Sequence, residues 1–340
     1  MSTQHRFMLM SLIPHEPDAD VSQRYRQLGD TAAFAESLGF DGFGVGERHE
    51  PTYLSSSPAV LLGYLAARTS TIRLFTAATT IAMHDPVRAY EDYATVDQLS
   101  GGRLELIIGT GLGPTSAKVF GISAEQQTPL TVASYELLRD LWHNRSATYD
   151  GGLRPALDGV ELSPPPRQPR IPVWHAGLSS RESAARPAAW GERLVSGNLF
   201  ATIDAVAQHL ATYREEWAAN GRDAAEVQVG VGVAGVHVAA SSQDARRQFR
   251  PAFDCQMQQF GQVFGRLPYD DFESYLATST ALVGSPAEVR EKFEQLQGRF
   301  GHTLTYHHAD SPGLDPATWR AGKELFAEHV IAPVPEVASA

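Results

Sequence analysis

Two short apolar runs that flank one amphipathic segment limit the possible folds of this chain more than any other feature. The runs are Ile72–Thr79 and Leu104–Thr110, and the segment between them, Pro86–Leu99, has helical periodicity. Each run is only about seven residues long and ends in small residues, as strands buried on both faces do. A strand, a helix and another strand in this order predict a parallel βαβ unit.

The same alternation continues along the rest of the chain. Strand-like runs are His5–Ile13, Phe40–Gly46, Ile171–Ala176, Arg193–Ser196, Val227–Ala239 and His302–Tyr306. Helical spacing marks Val21–Leu38, Pro58–Arg68, Glu125–His143, Ile203–Asn220, Gln243–Gly261, Pro286–Leu296 and Trp319–Val330. About eight strand–helix repeats without a long central linker predict a single (β/α)8 TIM barrel domain over residues 1–340. The alternative is a doubly wound open sheet, although no G-x-G-x-x-G fingerprint follows the first strand.

Two segments interrupt this alternation. Residues 144–170 are rich in Gly and Pro and have no helical period, so an irregular insertion or a small hairpin is predicted there. Residues 265–278 are also less regular and are interpreted as a second insertion.

Composition and charge exclude several classes of protein. The 340 residues carry a net charge of −11 and contain no run of Lys or Arg, whereas a nucleic-acid-binding protein normally shows a basic stripe. No apolar stretch reaches the roughly 18 residues that span a bilayer, and the first residues lack the apolar core of a signal peptide. The single cysteine, Cys255, excludes an internal disulfide and a cysteine-cluster metal site. These features predict a cytoplasmic protein that binds neither nucleic acid nor membrane.

The active site of such a barrel lies at the C-terminal ends of its strands. The residues at these ends are Ser11, Ile13, Glu47, Arg48, His49, Ala77, Ala78, Thr79, Gly109, Thr110, Gly111, His175–Ser180, Ser196, Gly197, His237, His307 and His308. Among them His49 is a candidate for proton transfer, because the pKa of an imidazole is ordinarily about 6.5. Glu47 is expected to orient His49 or to pair with its charge. Two alternatives stay open: an ion pair of Glu47 with Arg48 at the barrel rim, and a packed, structural His49.

A glycine-led loop is the best candidate for binding a phosphate group. Gly177, Leu178, Ser179 and Ser180 precede a helix that contains Ser183. Backbone N–H groups, hydroxyls and the positive end of the helix dipole together attract an anion. The alternative is an ordinary βα turn with a serine N-cap.

Other polar residues are given structural roles. Asp85 and Ser285 are predicted to cap helices whose first residues are Pro86 and Pro286. Arg103 precedes the fourth strand at the opposite end of the barrel. The adjacent His307 and His308 point to opposite faces of a strand, and no H-x-x-x-H pattern occurs. No metal is therefore predicted, although a site assembled from scattered residues stays open.

The organising stretch also resembles a known family. It carries Thr76-Ala77-Ala78, His84-Asp85-Pro86-Val87-Arg88, Glu91-Asp92, Asp97-Gln98-Leu99-Ser100-Gly101-Gly102-Arg103 and Gly109-Thr110-Gly111-Leu112, in that order. Further pieces are Phe40-Asp41-Gly42, the run Val283–Val289 and the closing run Leu325–Pro333. Together they resemble the luciferase-like flavin-dependent monooxygenases, which include bacterial luciferase and enzymes that use FMN or a deazaflavin. The segment Pro172-Val173-Trp174-His175 resembles the FMN-using members more.

The resemblance implies a flavin-dependent monooxygenase. Such an enzyme uses reduced FMN, supplied by a separate flavin reductase, and molecular oxygen to oxygenate a small organic substrate. The FMN phosphate is then expected at Gly177, Leu178, Ser179, Ser180 and Ser183. The flavin ring is expected over Ala77, Ala78 and Thr79, where the family often has a cis peptide bond, and beside Gly109 and Thr110.

The chain departs from the family at the end of the second strand. Glu47-Arg48-His49 stands where the family has Glu-His-His, and bacterial luciferase uses the first of those histidines as a base. The resemblance therefore leaves two alternatives: a deazaflavin-dependent hydride-transfer oxidoreductase and a non-catalytic flavin-binding protein. It also implies a homodimer that pairs through the helices after the second and third strands. In agreement, Pro58–Leu65 and Tyr90–Val96 are more apolar than one barrel face requires.

Overall fold

The structure is a computed structural model that describes residues 5–111, 118–144, 146–197, 201–264 and 268–332. Residues 145 and 265–267 of the two predicted insertions lie outside the described residues, as do Leu112 and Pro333 of the family-like motifs.

Thirteen strands occur within this part of the chain. They are β1 (Arg6–Ser11), β2 (Gly42–Val45), β3 (Arg73–Thr76), β4 (Thr79–Thr80), β5 (Leu104–Gly109), β6 (Ser146–Tyr149), β7 (Leu157–Glu161), β8 (Val173–Gly177), β9 (Arg193–Ser196), β10 (Val229–Gly232), β11 (Val236–Val238), β12 (Leu282–Gly284) and β13 (Leu304–His308). Ten α-helices alternate with them: α1 (Val21–Ser37), α2 (Pro58–Arg68), α3 (Pro86–Leu99), α4 (Ala124–Asn144), α5 (Arg181–Trp190), α6 (Ile203–Ala219), α7 (Ser242–Phe264), α8 (Phe272–Thr278), α9 (Pro286–Phe300) and α10 (Pro316–Phe326).

The main sheet is a closed parallel barrel. Its strand order is β3-β2-β1-β13-β10-β9-β8-β5-β4, and an additional pairing of β3 with β5 closes the sheet. β3 and β4 are two pieces of one barrel strand, separated by Ala77 and Ala78, so the barrel has eight strands. The predicted (β/α)8 TIM barrel is confirmed, and the doubly wound open sheet is wrong.

The chain divides into two compact units. The first unit contains Ser11–Ala33 and Phe43–Ala176, and the second contains the described residues of Met1–Met10, Phe34–Gly42 and Gly177–Ala340. In the first unit Phe43, Phe75, Tyr90, Tyr93 and Trp174 are fully buried. The core of the second unit includes a ring cluster formed by Phe249, Phe253, Phe272 and Tyr275. The assignment of the whole chain to a single domain stays a prediction.

Helix starts follow the predicted capping residues. The Asp85 carboxylate accepts hydrogen bonds from the N–H groups of Val87 and Arg88, and Pro86 is the first residue of α3. Ser285 caps α9 in a capping box with Glu288. Arg103 donates hydrogen bonds to the carbonyls of Ala66, Thr69, Ile72 and Ser100, so it closes the C-terminal end of α2.

The first predicted insertion is a hairpin, in which β6 and β7 pair in antiparallel orientation. The second predicted insertion is not irregular throughout. Residues 272–278 form the regular helix α8, whose N-cap Asp271 exchanges hydrogen bonds with Ser274. The Asp-x-x-Ser capping signal was present in the sequence, but the helix is only seven residues long.

The prediction of one strand over Val227–Ala239 is wrong. The chain leaves the barrel after Gly232, and β11 pairs with β12 in a separate two-stranded sheet. The turn is fixed because the Ala234 N–H donates to the Thr280 hydroxyl and the Gly235 carbonyl accepts from Leu282. A Cβ atom on Gly235 would lie 2.6 Å from the Phe249 ring, so the chain packs tightly there. β12 itself was not predicted.

The last predicted helix begins and ends differently. It runs from Pro316 to Phe326 and continues as a π-helical turn over Ala327–Ile331. Among the described residues, none of the helices combines the length and apolar character needed to cross a membrane.

Candidate active site

Glu47 is the centre of a buried polar cluster in the first unit. Its carboxylate is shielded from solvent, and Oε1 lies 3.2 Å from Nε2 of His49 and 2.9 Å from Nε2 of His84. Oε2 accepts a hydrogen bond from the backbone N–H of Thr80 at 2.8 Å. The loop after β2 carries Glu47 and His49, whereas His84 precedes the N-cap of α3. One carboxylate therefore holds two imidazoles at the C-terminal ends of neighbouring barrel strands.

The electrostatics of this cluster favour an ion pair. Burial raises the pKa of Glu47. The opposing effects are larger in sum, so the pKa lies below its usual value: they are the hydrogen bonds from His49, His84 and the Thr80 N–H, and the charge of His84. Burial lowers the pKa of His84, but the hydrogen bond and charge of Glu47, with the charge of Asp92, raise it above its usual value. The anionic carboxylate thus stabilises a protonated His84.

His49 and His84 differ in their surroundings. The His49 ring lies edge-on to Phe120, with 4.8 Å between ring centroids, and its side chain is 10% exposed. The His84 side chain is 25% exposed. Both imidazoles are accessible at one edge while Glu47 is sealed behind them, so either histidine can exchange a proton with a bound molecule.

Arg48 points into a different environment. Its Nε lies 2.9 Å from Oε2 of Glu50, and its guanidinium lies over the Tyr53 ring at 4.9 Å. The rim ion pair of Glu47 with Arg48, considered as an alternative, is therefore wrong, because Glu47 pairs with histidines and Arg48 with Glu50. Glu47 and Arg48 are adjacent in this loop but make separate contacts, as expected where successive side chains point to opposite faces.

Small residues line the strand ends beside this cluster. The Ala77–Ala78 peptide bond is cis. A Cβ atom on Gly109 would lie 3.1 Å from Cβ of Ala78 and 3.6 Å from Cβ of Ala176, which leaves no room for a larger side chain within this layer. Small residues at these three positions allow a ligand to approach the backbone closely.

The neighbouring threonines serve the protein itself. The Thr79 hydroxyl is buried and lies 2.7 Å from the Tyr93 hydroxyl, so its side chain packs away from the strand-end surface. The Thr110 carbonyl accepts a short hydrogen bond from the side-chain amide of Gln127. Any contact of Thr79 with a ligand must therefore come from its backbone.

The glycine-led loop forms the N-terminus of α5 in the second unit. Ser180 is the N-cap, and its hydroxyl accepts from the Ser183 N–H at 3.2 Å. Ser179 is exposed and Leu178 is 38% exposed. The first N–H groups of an α-helix have no partner within the helix, so this end offers backbone donors and hydroxyls to an anion.

Packing, rather than the conformation of the turn, requires glycine at position 177. Its backbone is not in the left-handed region, so glycine is not needed for the turn itself. A Cβ atom there would lie 2.6 Å from Cε1 of His209 and 3.1 Å from Oγ of Ser183. Glycine is required because the buried His209 ring occupies the space behind the loop.

Two functional candidates, His84 and His209, were missed by sequence reasoning. His84 was assigned only to a helix start, although its place four residues after a barrel strand was a usable signal. His209 sits in mid-helix among the apolar residues of α6, where a histidine is ordinarily part of the core. Nothing in the sequence points to its contacts with Ser183 and Ser196, which lie 26 and 13 positions away.

Two other strand-end histidines, His237 and His307, make contacts of their own. His237 belongs to the two-stranded sheet and lies 2.8 Å from Oε1 of Gln248. His307 is buried, and burial lowers its pKa well below the usual value. Across the described ranges, no group of three or more His, Cys, Asp or Glu side chains is arranged to hold a metal ion.

The residues present fit a flavin mononucleotide. The α5 N-terminus supplies hydroxyl and N–H donors suited to a phosphate, and the loop before it begins with a glycine and ends with two serines. The strand ends at Ala78 and Gly109 supply a surface of small residues. Taken separately, the α5 N-terminus suits a phosphate group, and the small residues at Ala78 and Gly109 suit one face of a planar ring.

An eight-stranded parallel barrel whose strand ends carry a carboxylate with two imidazoles is the arrangement of a barrel enzyme. The model of the luciferase-like monooxygenase family matches residues 5–303. The chain belongs to the luciferase-like monooxygenase family. A luciferase-like monooxygenase of Escherichia coli strain K12 is 27% identical over 312 residues, which cover 85% of this chain and 87% of that protein. The chain spans about half the length of other relatives, such as 51% of a Sinorhizobium fredii protein.

Solved structures share the fold over almost the whole chain. The monooxygenase RslO1 from Streptomyces bottropensis has a TM-score of 0.86 at 24% identity, covering 96% of this chain and 99% of that one. The oxygenating constituent of the Pseudomonas putida 3,6-diketocamphane monooxygenase, solved with FMN, has a TM-score of 0.82 at 21% identity, covering 98% and 99%. A secondary alcohol dehydrogenase that depends on coenzyme F420 has a TM-score of 0.73 at 16% identity, covering 97% and 99%.

Proposed function

We propose that this protein is a flavin-dependent monooxygenase that uses reduced FMN and molecular oxygen to oxygenate a small organic substrate. The observation that carries the proposal is the Glu47–His49–His84 cluster at the strand ends of a family member. When bound, reduced FMN supplies the electrons that activate oxygen. The chain supplies binding, orientation and proton transfer.

The FMN phosphate is assigned to Gly177, Leu178, Ser179, Ser180 and Ser183. In support, Ser180 and Ser183 place two hydroxyls at the N-terminus of a ten-residue helix. The ring is assigned to the small residues Ala77, Ala78 and Gly109, with the backbone of Thr79 and Thr110. These assignments follow from donor chemistry and side-chain size.

The proton is handled by the imidazoles. Glu47 keeps a proton on His84 by pairing with its charge, so His84 is suited to donate that proton as a general acid. His49 shares the same carboxylate oxygen and is suited to take up a proton from the substrate side. Arg48, held by Glu50 and stacked on Tyr53, is suited to contact an anionic group of the substrate.

A separate flavin reductase is proposed as the partner that delivers reduced FMN, and a homodimer is proposed as the working form. A second candidate function is hydride transfer with a deazaflavin, because an F420-dependent dehydrogenase shares the fold. Binding of the cofactor without turnover is the third possibility, which Arg48 at the place of the family histidine keeps open.

One experiment separates these functions. Reduced FMN, reduced FAD and reduced deazaflavin are titrated anaerobically into the purified protein, and oxygen is then admitted with a panel of ketones and aldehydes. Preference for FMN together with oxygen uptake that matches the oxygenated product supports the monooxygenase. Preference for the deazaflavin, or FMN binding without product from any compound, contradicts it.

A further inference from the structure

His209 lies directly behind the loop assigned to the cofactor phosphate. It is carried by α6, its side chain is 2% exposed, and both ring nitrogens have hydrogen-bond partners. Nε2 lies 3.0 Å from Oγ of Ser183, and Nδ1 lies 2.6 Å from Oγ of Ser196. The imidazole therefore connects the end of β9 to the first turn of α5.

The Ser180 carbonyl fixes the positions of the hydroxyl and imidazole hydrogens in this network. The Ser183 hydroxyl lies 2.7 Å from the Ser180 carbonyl oxygen, which can only accept, so Ser183 donates to it. Ser183 must then accept from His209, which places the ring hydrogen on Nε2. Nδ1 is left as an acceptor, and the Ser196 hydroxyl donates to it. The order of donation is Ser196 to His209 to Ser183.

We propose that His209 is a positioning residue for the cofactor phosphate, because it releases the Ser183 hydroxyl to bind a phosphate oxygen. The proposal rests on the proposed function, since it takes the phosphate to lie at this loop. When a phosphate enters, the Ser183 hydroxyl hydrogen turns from the Ser180 carbonyl to the phosphate. His209 keeps donating to the Ser183 oxygen, which polarises the hydroxyl and strengthens its bond to the anion.

The Ser180 carbonyl keeps a partner when the Ser183 hydroxyl turns away, because the carbonyl of an N-cap residue accepts the first hydrogen bond within its helix. The close approach of His209 to the loop is possible only because residue 177 is glycine. Two hydrogen bonds and one missing side chain thus involve the same ring.

Comparison of reduced FMN with reduced riboflavin tests the proposal, because the two flavins differ only in the phosphate. Anaerobic titrations are run on the wild type, His209→Leu and Ser196→Ala. The matched control is Thr212→Ala, which lies on the same helix and whose hydroxyl bonds to the Gln208 carbonyl within that helix. His209→Leu should weaken FMN at least about tenfold and leave riboflavin within about twofold. Ser196→Ala should lower the FMN preference by a smaller factor, and Thr212→Ala should change neither.

The outcomes distinguish a failure of the proposed FMN function from a failure of the proposed role of His209. If the wild type binds neither flavin, the proposed FMN function fails and this inference fails with it. If the wild type prefers FMN but His209→Leu weakens both flavins equally, or neither, only the role of His209 is overturned. Circular dichroism checks the fold of each variant. Should His209→Leu not fold, Ser196→Ala decides: an unchanged FMN preference overturns the proposal, and a lowered one supports it.

Discussion

At the scale of single residues, the Glu47 carboxylate joins His49, two positions away, to His84, which is 37 positions away. The sequence placed Glu47 and His49 at a strand end because the second apolar run stops just before them. It did not reveal His84 as a partner, because a contact across that separation depends on how two strand ends come together in the barrel. The helix-start motif that contains His84 therefore has a second role that local patterns do not show.

His49→Ala is expected to lower turnover by roughly 10²-fold or more, the range for loss of a general acid or base. The affinity for FMN should hardly change, because the Glu47 pair with His84 stays intact. Steady-state oxygenation and anaerobic flavin titration measure the two quantities. Arg48→Ala is measured alongside it, and loss of turnover in that variant instead would indicate that Arg48 binds an anionic substrate. Turnover that survives His49→Ala while the melting temperature falls would make His49 a structural residue.

His84→Gln tests the ion pair through the pH dependence of stability. Because the pKa of His84 is raised, its contribution to the free energy of unfolding is fully present below about pH 6.5. That contribution is lost as pH rises through the pKa of His84 in the folded state. The lowered pKa of Glu47 means that its contribution is present above about pH 4.3 and is lost as pH falls through its folded-state value. Urea unfolding of both proteins should therefore differ most between these limits. A difference independent of pH would show that the pair is not ionic.

At the scale of elements, capping residues predicted helix starts well because a cap acts within a few positions. Asp85 and Ser285 are examples, and each caps the helix that the sequence assigned to it. Strand β12 escaped prediction because it is three residues long and is defined by its pairing with β11 rather than by its own pattern. The run Val227–Ala239 was taken for a single strand for the same reason, because its division into β10 and β11 depends on the pairing of β11 with β12.

The N-terminus of α5 allows a charge test that keeps the cap. Ser179→Asp combined with Ser180→Asp places negative charge beside the proposed phosphate and should weaken FMN at least about tenfold, which requires roughly 1.4 kcal/mol. Ser179→Asn combined with Ser180→Asn is the neutral control, because Asn and Asp cap helices about equally well. Fluorescence titration gives both affinities. Equal affinities for the two double variants would move the phosphate elsewhere.

Helix α10 carries a buried amine on its inner face. Lys323 is 2% exposed, its Nζ lies 3.4 Å from the Val236 carbonyl oxygen, and burial lowers its pKa from 10.5 to about 7. The folded state therefore binds fewer protons than the unfolded state between these two values, so stability should rise with pH over that interval. Lys323→Met should flatten this rise and stabilise the protein at neutral pH by on the order of 2 kcal/mol. Denaturant unfolding at several pH values measures both effects, and an unchanged slope would contradict the assignment.

At the scale of the whole molecule, the barrel was predictable because eight strand–helix repeats leave few alternatives. The site was predictable only in outline, since strand ends can be located from the sequence but their cross-contacts cannot. The structure also shows which apolar residues are exposed and could contribute to the proposed dimer surface. The apolar residues Tyr90, Tyr93, Ala94 and Val96 are buried within the first unit, whereas Val60 and Leu99 are 73% and 64% exposed.

Val60→Glu tests the proposed homodimer. Val60 lies on α2, and Leu99, at the end of α3, approaches Gly63 of α2, so the two exposed residues belong to neighbouring helices. Light scattering should give the dimer mass for the wild type at micromolar concentration and a shift towards the monomer for Val60→Glu. Val160→Glu, at another exposed apolar position, is the control. A monomer mass for the wild type would refute the dimer.

The fit of His209 against Gly177 restricts the order in which this loop can change during evolution. Any side chain at residue 177 collides with the imidazole, so such a substitution is harmful while the histidine remains. The same substitution becomes acceptable once residue 209 has become smaller, and the two positions are therefore epistatic. Selection for a side chain at residue 177 would have to alter residue 209 first, and a library that varies the loop alone would recover mostly glycine at its first position.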